Sequence, residues 1–196
     1  MQKIVPHDAI LIPEHARRVF RGQIFDVYQW PQKLYDGSEA TFEMLKRPDT
    51  MIVLCIKDDN IIFVREQQPG KPEYVNLPGG RVDPGEAWDD AAKRECSEEL
   101  GLEFANWRLI GVRQPVVKIE WFVVIYLATD CTEAHATKHD AGERIEPVPM
   151  SFEEAKQFLA KADDPLDRFL QTMFEPLQSI DDLKQVPSFE GKQVNR

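Results

Sequence analysis

The chain is 196 residues long and 42% hydrophobic, and its 34 Asp and Glu outweigh 24 Lys and Arg to leave a formal net charge of −10. That length suits one domain, or one with a small appendage, and the lack of any long uncharged apolar run excludes a membrane-spanning helix. The acidic balance argues against a general binder of nucleic acid or anionic membranes, which would show a basic surface, so an anionic substrate would need a metal between itself and the protein.

In chain order, residues 1–15 show no clear period and read as a lead-in, and MQKIVPHDAILIPEH is too polar for a signal-peptide core. RRVFRGQIFDVYQW (17–30) and EATFEML (39–45) carry strand patterning and are joined by a polar turn at Asp36-Gly37-Ser38, which predicts a hairpin. Met51 to Ile56 form a nearly unbroken apolar run, and Ile61 to Val64 follow after Lys57-Asp58-Asp59-Asn60, a second hairpin in a buried sheet. Val75 to Leu77 add a short strand. After the turn signal Pro84-Gly85 the residues are good helix formers, predicting a helix over 86–100 ended by Gly101 at positive φ. Trp107 to Arg113 and Glu120 to Thr129 read as strands, and Asp130 to Glu143 as a long loop. Ser151 stands at capping-box spacing before Glu154, opening a helix through Lys161, and Pro165 to Leu177 predicts another. The end of the chain, FEGKQVNR, reads as a frayed tail. Strands before and after one central helix, with two helices late in the chain, imply an α/β protein with a mixed sheet between helical layers. Cys55, Cys96 and Cys131 are odd in number and form no C-x-x-C pair, so reduced thiols in a cytoplasmic protein are expected. His7, His15, His135 and His139 form no ligand cluster.

The segment LPGGRVDPGEAWDDAAKRECSEELGL (77–102) places seven Asp or Glu in 26 positions against three Arg or Lys. On a helix, Glu95, Glu98 and Glu99 stand at i, i+3 and i+4 and share an arc of about 100°, beside the apolar stripe Trp88, Ala92, Cys96 and Leu100. Like charges at that spacing oppose helix formation by roughly 0.2–0.5 kcal/mol per pair, which a purely structural helix has no reason to accept. A divalent cation supplies the reason, because carboxylate oxygens suit Mg²⁺, with Mn²⁺ an alternative. Gly79-Gly80 carry no side chains to block close backbone approach to a metal or a phosphate. Arg94 is placed to hold a neighbouring carboxylate by a bidentate pair.

The spacing G-x5-E-x7-R-E-U-x-E-E-x-G-U, with U a bulky apolar residue, resembles the Nudix box, here as Gly80, Glu86, Arg94, Glu95, Cys96, Glu98, Glu99, Gly101 and Leu102. Cys96 is the single departure, and it packs as a small hydrophobe. The resemblance implies an α/β/α sandwich that hydrolyses a nucleoside diphosphate linked to another group. It implies metal ligands at Glu95, Glu98, Glu99 and the Gly79 carbonyl, with Glu86 and Arg94 positioning them.

A wider likeness, through VFRGQIFDV, LYDG, FEMLKRPDTMIVLCI and IIFVREQQ, is to the ADP-ribose and nucleoside-diphosphate-sugar pyrophosphatase branch. This implies a homodimer built through residues 17–46, a diphosphate contact at Arg65 and a catalytic Glu143 in the late loop. It also divides the chain into a β-hairpin segment (1–47), a hydrolase domain (48–180) and a tail (181–196). Pro115 comes earlier than the branch's usual proline, and Val116 stands where a glycine is usual, which leaves the sugar open. Aromatic residues that could stack a base are Phe25, Tyr28 and Trp30, with Gly80 facing the phosphates. Two alternatives stand beside this reading: a nucleoside triphosphate pyrophosphatase, and a Nudix module that binds nucleotide or RNA without turning it over.

Overall fold

The run TMIVLCIK forms a strand whose six central residues are all buried, so it must lie in a sheet covered on both faces. The structure, a computed structural model, describes residues 2–137, 142, 144–161 and 165–195. Its strands are β1 (Gln2–Val5), β2 (Arg17–Arg21), β3 (Asp26–Lys33), β4 (Glu39–Lys46), β5 (Thr50–Lys57), β6 (Asn60–Gln67), β7 (Tyr74–Asn76), β8 (Gly79–Arg81), β9 (Leu102–Arg113), β10 (Ile119–Glu120), β11 (Val123–Ala134), β12 (Arg144–Met150) and β13 (Lys192–Asn195). The helices are α1 (Trp88–Glu95), continued by a π turn over Cys96–Leu100, then α2 (Phe152–Leu159), α3 (Pro165–Phe174) and α4 (Ile180–Lys184).

The central sheet has seven strands in the order β12-β6-β5-β11-β9, with β7 added beside β6 and β8 beside β5. It is mixed, because β5 runs parallel to β11 and antiparallel to β6 and β8. Successive side chains of β5 serve different cores. Met51, Val53 and Cys55 pack with Trp88, Ala92, Cys96 and Leu100, whereas Ile52, Leu54 and Ile56 pack with Phe152, Leu159, Leu170, Phe174 and Leu183. This is the expected α/β/α sandwich. Each fully buried side chain of this kind contributes about 1.5–3 kcal/mol, so a one-residue slip of β5 would misplace both faces at once.

Several boundaries differ from the sequence expectation. Residues 17–30 are two strands, since Gly22 N–H bonds the Phe25 carbonyl at 3.0 Å and folds β2 back on β3. The N-terminal hairpin is therefore part of a four-stranded sheet, β10-β4-β3-β2, whose small core is Ile12, Trp30 and Met44. The tail is not frayed, because β13 pairs with β1 along four residues. Helix α1 begins at Trp88 rather than 86, and its last turn is a π turn. Gly101 ends it at φ 62, as its position after the helix requires. Strand β11 continues to Ala134, with Asp130 at φ 59, into the segment expected to be loop. The capping box at Ser151 and Glu154 is formed, and α4 follows where no helix was expected.

Two buried carboxylates tie the N-terminal segment to the sandwich. Asp49 accepts from Lys3 Nζ at 2.7 Å, Trp88 Nε1 at 2.9 Å and Phe122 N at 3.0 Å. Glu120 accepts from Ile12 N at 2.7 Å and Lys46 Nζ at 2.6 Å. With several donors each, these anions are satisfied despite burial.

Candidate active site

Strand β8 lies close against β5, and its two glycines make that possible. A Cβ on Gly79, whose φ is 153°, would stand 2.7 Å from Ile52 Cα; one on Gly80 would stand 2.6 Å from the Glu95 carboxylate carbon. The space a side chain would fill at Gly80 is thus taken by Glu95 itself. Gly79 N–H donates to Glu99 Oε2 at 3.0 Å, so the strand and the π turn are joined through a carboxylate. The wider turn brings Glu95 and Glu99 both onto β8 and leaves the Glu98 side chain 42% exposed. Such turns recur where side chains must be re-aimed at functional positions.

Arg94 organises the carboxylates. Its Nε and Nη2 grip Glu86 in a bidentate pair at 2.8 and 3.0 Å, and Nη1 donates to Glu95 at 2.8 Å and Glu98 at 3.2 Å. Glu86 sits ahead of the helix, where its carboxylate also accepts from Asp83 N–H at 2.9 Å. Arg94 holds the Glu86 carboxyl below the usual range, and the same contacts push the guanidinium further up. Glu95 goes the other way: burial raises it, against the opposing pull of Arg94.

Three carboxylates, Glu86, Glu95 and Glu98, around one guanidinium leave an excess of negative charge, and all their donors are hard oxygens. Among the described residues, no three His, Cys, Asp or Glu side chains are gathered closely enough to ligate a metal as they stand. The donor set nonetheless fits a small divalent cation, because oxygen ligands, a buried carboxylate raised by desolvation and a charge excess are all answered by one. Cys96, the departure within the motif, places its Sγ 3.2 Å from Cys55 Sγ; both are buried, and burial pushes the Cys55 thiol up.

These groups open onto a cavity of about 780 Å³, whose other walls include Arg47, Thr50, Glu66, Gln68 and Arg81. The structure departs from the expectation for Arg65. The strand pleat puts Glu66 and Gln68 on the cavity side of β6 and turns Arg65 to the opposite face, where it pairs with Glu73 at 3.3 Å and Glu146 at 3.6 Å. Trp30 is also placed elsewhere, buried in the core of the four-stranded sheet with Nε1 bonded to Gln32. Tyr28 lines a second cavity of about 510 Å³, between that sheet and the loop before α1. Glu143 lies outside the described residues.

Arg47 also lines the cavity, and the sequence alone assigns it no role. Arg47 follows β4, and its buried Nε has no hydrogen-bond partner among the described residues. Its guanidinium lies 4.5 Å from the Trp121 ring centre and 5.7 Å from that of Phe25. Burial lowers its pKa first, the charge of Arg81 lowers it further, and Asp49 opposes. An orphaned buried donor costs about 1–3 kcal/mol, and no described residue supplies the acceptor that would remove that cost here. The available signal was a lone Lys46-Arg47 pair just ahead of the apolar run, with no pattern to mark it.

A carboxylate helix bedded on two glycines and an arginine just past β4 line one cavity, a set of groups whose chemistry suits a metal and a phosphate. The family described as NUDIX domain matches residues 45–173, and the chain belongs to that family. It is 31% identical over 86 residues to the ADP-ribose pyrophosphatase of Bacillus subtilis (strain 168), covering 43% of this chain and 46% of that protein. The match therefore spans about half of that relative's length. It is 24% identical over 149 residues to the methanol dehydrogenase activator of Bacillus methanolicus, covering 74% of this chain and 80% of that protein. A crystal structure of an ADP compounds hydrolase superposes with a TM-score of 0.67 at 21% identity, over 93% of this chain and 97% of that one, which establishes a shared fold.

Proposed function

We propose that this chain is a divalent-metal-dependent pyrophosphatase that cleaves ADP-ribose or a related nucleoside diphosphate sugar to a nucleoside monophosphate and a sugar phosphate. The observation that carries it is the meeting, at one cavity, of the Glu95, Glu98 and Glu99 cluster with Arg47, a partly buried cation whose Nε lacks an acceptor among the described residues. Glu95, Glu98, Glu99 and the Gly79 carbonyl would hold Mg²⁺, or Mn²⁺ in its place. The bound cation would neutralise the diphosphate and lower the pKa of a water for attack on phosphorus. Arg47 and Arg81, which line the same cavity, would bind the diphosphate oxygens and orient the bond to be cleaved. Arg94 and Glu86 hold Glu95 and Glu98 in place, and Glu98, the more exposed of the three, is set to accept the water's proton. Tyr28 is the aromatic best placed to meet the nucleoside, since it lines the adjoining cavity, and Arg47 stands between the two.

The edge strand β2 is exposed at every residue, with Val19 at 52% and Phe20 at 59%, which supports a homodimer through residues 17–46. A monomeric mass in light scattering would remove the dimer. Within the proposed division, residues 48–180 form the hydrolase domain and 1–47 the dimerising segment. No helix among the described residues is long and apolar enough to cross a membrane, and the free thiols of Cys55, Cys96 and Cys131 support a reducing cytoplasm.

The test is product release from a panel of ADP-ribose, UDP-glucose, GDP-mannose, NADH, diadenosine polyphosphates and nucleoside triphosphates, with Mg²⁺ and with EDTA. One nucleotide sugar cleaved far above the rest, and only with metal, is the expected result. Triphosphates preferred over all others would replace the substrate class, and nucleotide bound without turnover across the panel would replace the enzyme with a binding module.

A further inference from the structure

Arg47 and Arg94 are both partly buried arginines on one cavity, yet they are held by opposite means. Arg94 is fixed by carboxylates. Arg47 stands near a second cation, Arg81, on the same cavity, and its Nε has no acceptor among the described residues. Its nearby anion, Asp49, already accepts from Lys3, Trp88 and the Phe122 backbone. What touches the guanidinium is aromatic, with the Trp121 ring at 4.5 Å.

That ring is itself fixed. Trp121 Nε1 donates to Thr50 Oγ1 at 3.0 Å, which sets the plane of the indole. On one side Glu120 is anchored by Ile12 and Lys46, and its carbonyl accepts from Arg47 N at 3.4 Å. On the other, Phe122 exchanges bonds with Asp49 Oδ1 at 3.0 Å and Thr50 N at 2.9 Å. These contacts hold the aromatic face against the cation above it. Stacking occupies the flat face of a guanidinium and leaves its N–H donors directed outward in the plane. A counter-ion would instead consume those donors.

We propose that Trp121 is the positioning residue of the anion site: it holds Arg47 at the cavity wall, against the repulsion of Arg81, with donors kept for the oxygens of a diphosphate. The inference rests on the proposed diphosphate chemistry, and Trp121 acts through Arg47 without touching substrate. A bulky aliphatic residue could fill the same volume but would leave a long, flexible cation free to swing toward water.

The test compares Trp121→Leu, Trp121→Phe, Arg47→Ala and the double variant Arg47→Ala/Trp121→Leu. Two readouts are taken: the Kd of inorganic pyrophosphate with Mg²⁺, and KM and kcat for ADP-ribose. Trp121→Leu is expected to raise Kd and KM about 5- to 30-fold while kcat stays within about threefold, and Trp121→Phe to recover most of the loss. In the double variant, losing the ring should add nothing to the loss from Arg47→Ala, because the ring acts through that side chain. Equal effects of Trp121→Leu with and without Arg47 would overturn the proposal, as would a lowered melting temperature with unchanged Kd and KM.

Should Trp121→Leu fail to fold, fluorinated tryptophans placed at position 121 keep the shape while weakening the ring's attraction for cations. Pyrophosphate affinity should then fall stepwise with fluorine number at constant melting temperature, and a flat series would overturn the proposal. An Arg47→Ala protein with wild-type pyrophosphate affinity would also overturn it, while leaving metal-dependent turnover to decide the hydrolase reading. A wild-type protein that turns over none of the panel would defeat the hydrolase reading, and the pyrophosphate series would still decide Trp121.

Discussion

The seven-stranded sheet carries a polar cavity at each end of β5, one of about 780 Å³ beside Thr50 and one of about 630 Å³ beside Lys57. Both are lined by carboxylates and cations, so composition does not separate them. Charge matching does. At the Lys57 end, Lys184 bonds Asp59 at 3.2 Å and Asp181 at 3.4 Å, Asp130 accepts from Asn106, and Arg108 donates to the Val186 carbonyl. The acids there also have a local reason to exist. Asp58, Asp59 and Asp130 all adopt positive φ, a conformation that short polar side chains tolerate, and the first two make the hairpin turn between β5 and β6. At the Thr50 end, one Arg94 serves Glu86, Glu95 and Glu98, while Arg47 keeps a buried donor without a partner among the described residues. A cluster whose ions pair, as Lys184 does, or bond neutral groups, as Asp130 and Arg108 do, is structure. One in which three carboxylates share one guanidinium, beside an arginine whose Nε lacks an acceptor among the described residues, suits the metal and phosphate of the proposed function.

The sharpest way to break that contrast is to neutralise one acid at each end. Glu98→Gln should lower kcat about 10²–10⁴-fold, the size of a lost proton acceptor or charge stabiliser, with the melting temperature nearly unchanged. Asp130→Asn should keep kcat within about twofold. Comparable losses in the two variants would mean that the far cavity shares in the chemistry. A smaller effect is expected from Gly80→Ala, whose new methyl would meet the Glu95 carboxylate. Displacing a supporting group of this kind typically lowers activity about 10- to 100-fold, measured at saturating metal and substrate. Smaller again is Lys184→Ala, where breaking two exposed ion pairs should cost at most about 1 kcal/mol in urea unfolding and leave turnover alone.

How much of this was legible in the sequence depends on whether a feature is local. The carboxylate helix and its glycines lie within one short segment, so spacing alone reveals Gly80, Glu86, Arg94, Glu95, Glu98 and Glu99. The buried hairpin of β5 and β6 is equally local, through its apolar runs and acidic turn. Arg65 misled because adjacency to Glu66 says nothing of face: a period of two sends neighbours to opposite sides, and burial of Phe63 on one side and Val64 on the other fixes which. Trp30 misled because an aromatic on a strand reads alike whether it packs or binds. The pairing of β1 with β13 joins the two ends of the described chain, which no local pattern announces. Arg47 was invisible because its meaning lies in Trp121 and Arg81, brought beside it by the fold.

The finest test of the contrast lies in acid, where the carboxylates around Arg94 should pull in opposite directions. Glu86 is held below its ordinary pKa by Arg94, so its contribution to stability is full above the unfolded carboxylate range and is lost as pH falls through the depressed folded value. Glu95 is raised by burial, so the folded protein binds its proton more readily than the unfolded chain does, and ionising it costs stability as pH rises. Urea unfolding from pH 7 to pH 3 should therefore show Glu86→Gln less stable than wild type by about 0.5–1 kcal/mol at neutral pH, with the gap closing in acid. Glu95→Gln should move the other way, gaining on wild type as pH rises, because it removes a charge that the fold buries without fully answering. A Glu95→Gln protein that instead loses ground at pH 7 would mean that Arg94 already compensates that charge in the free protein. The near cavity would then be as well matched as the far one, and the reason for placing a metal there would have to come from substrate.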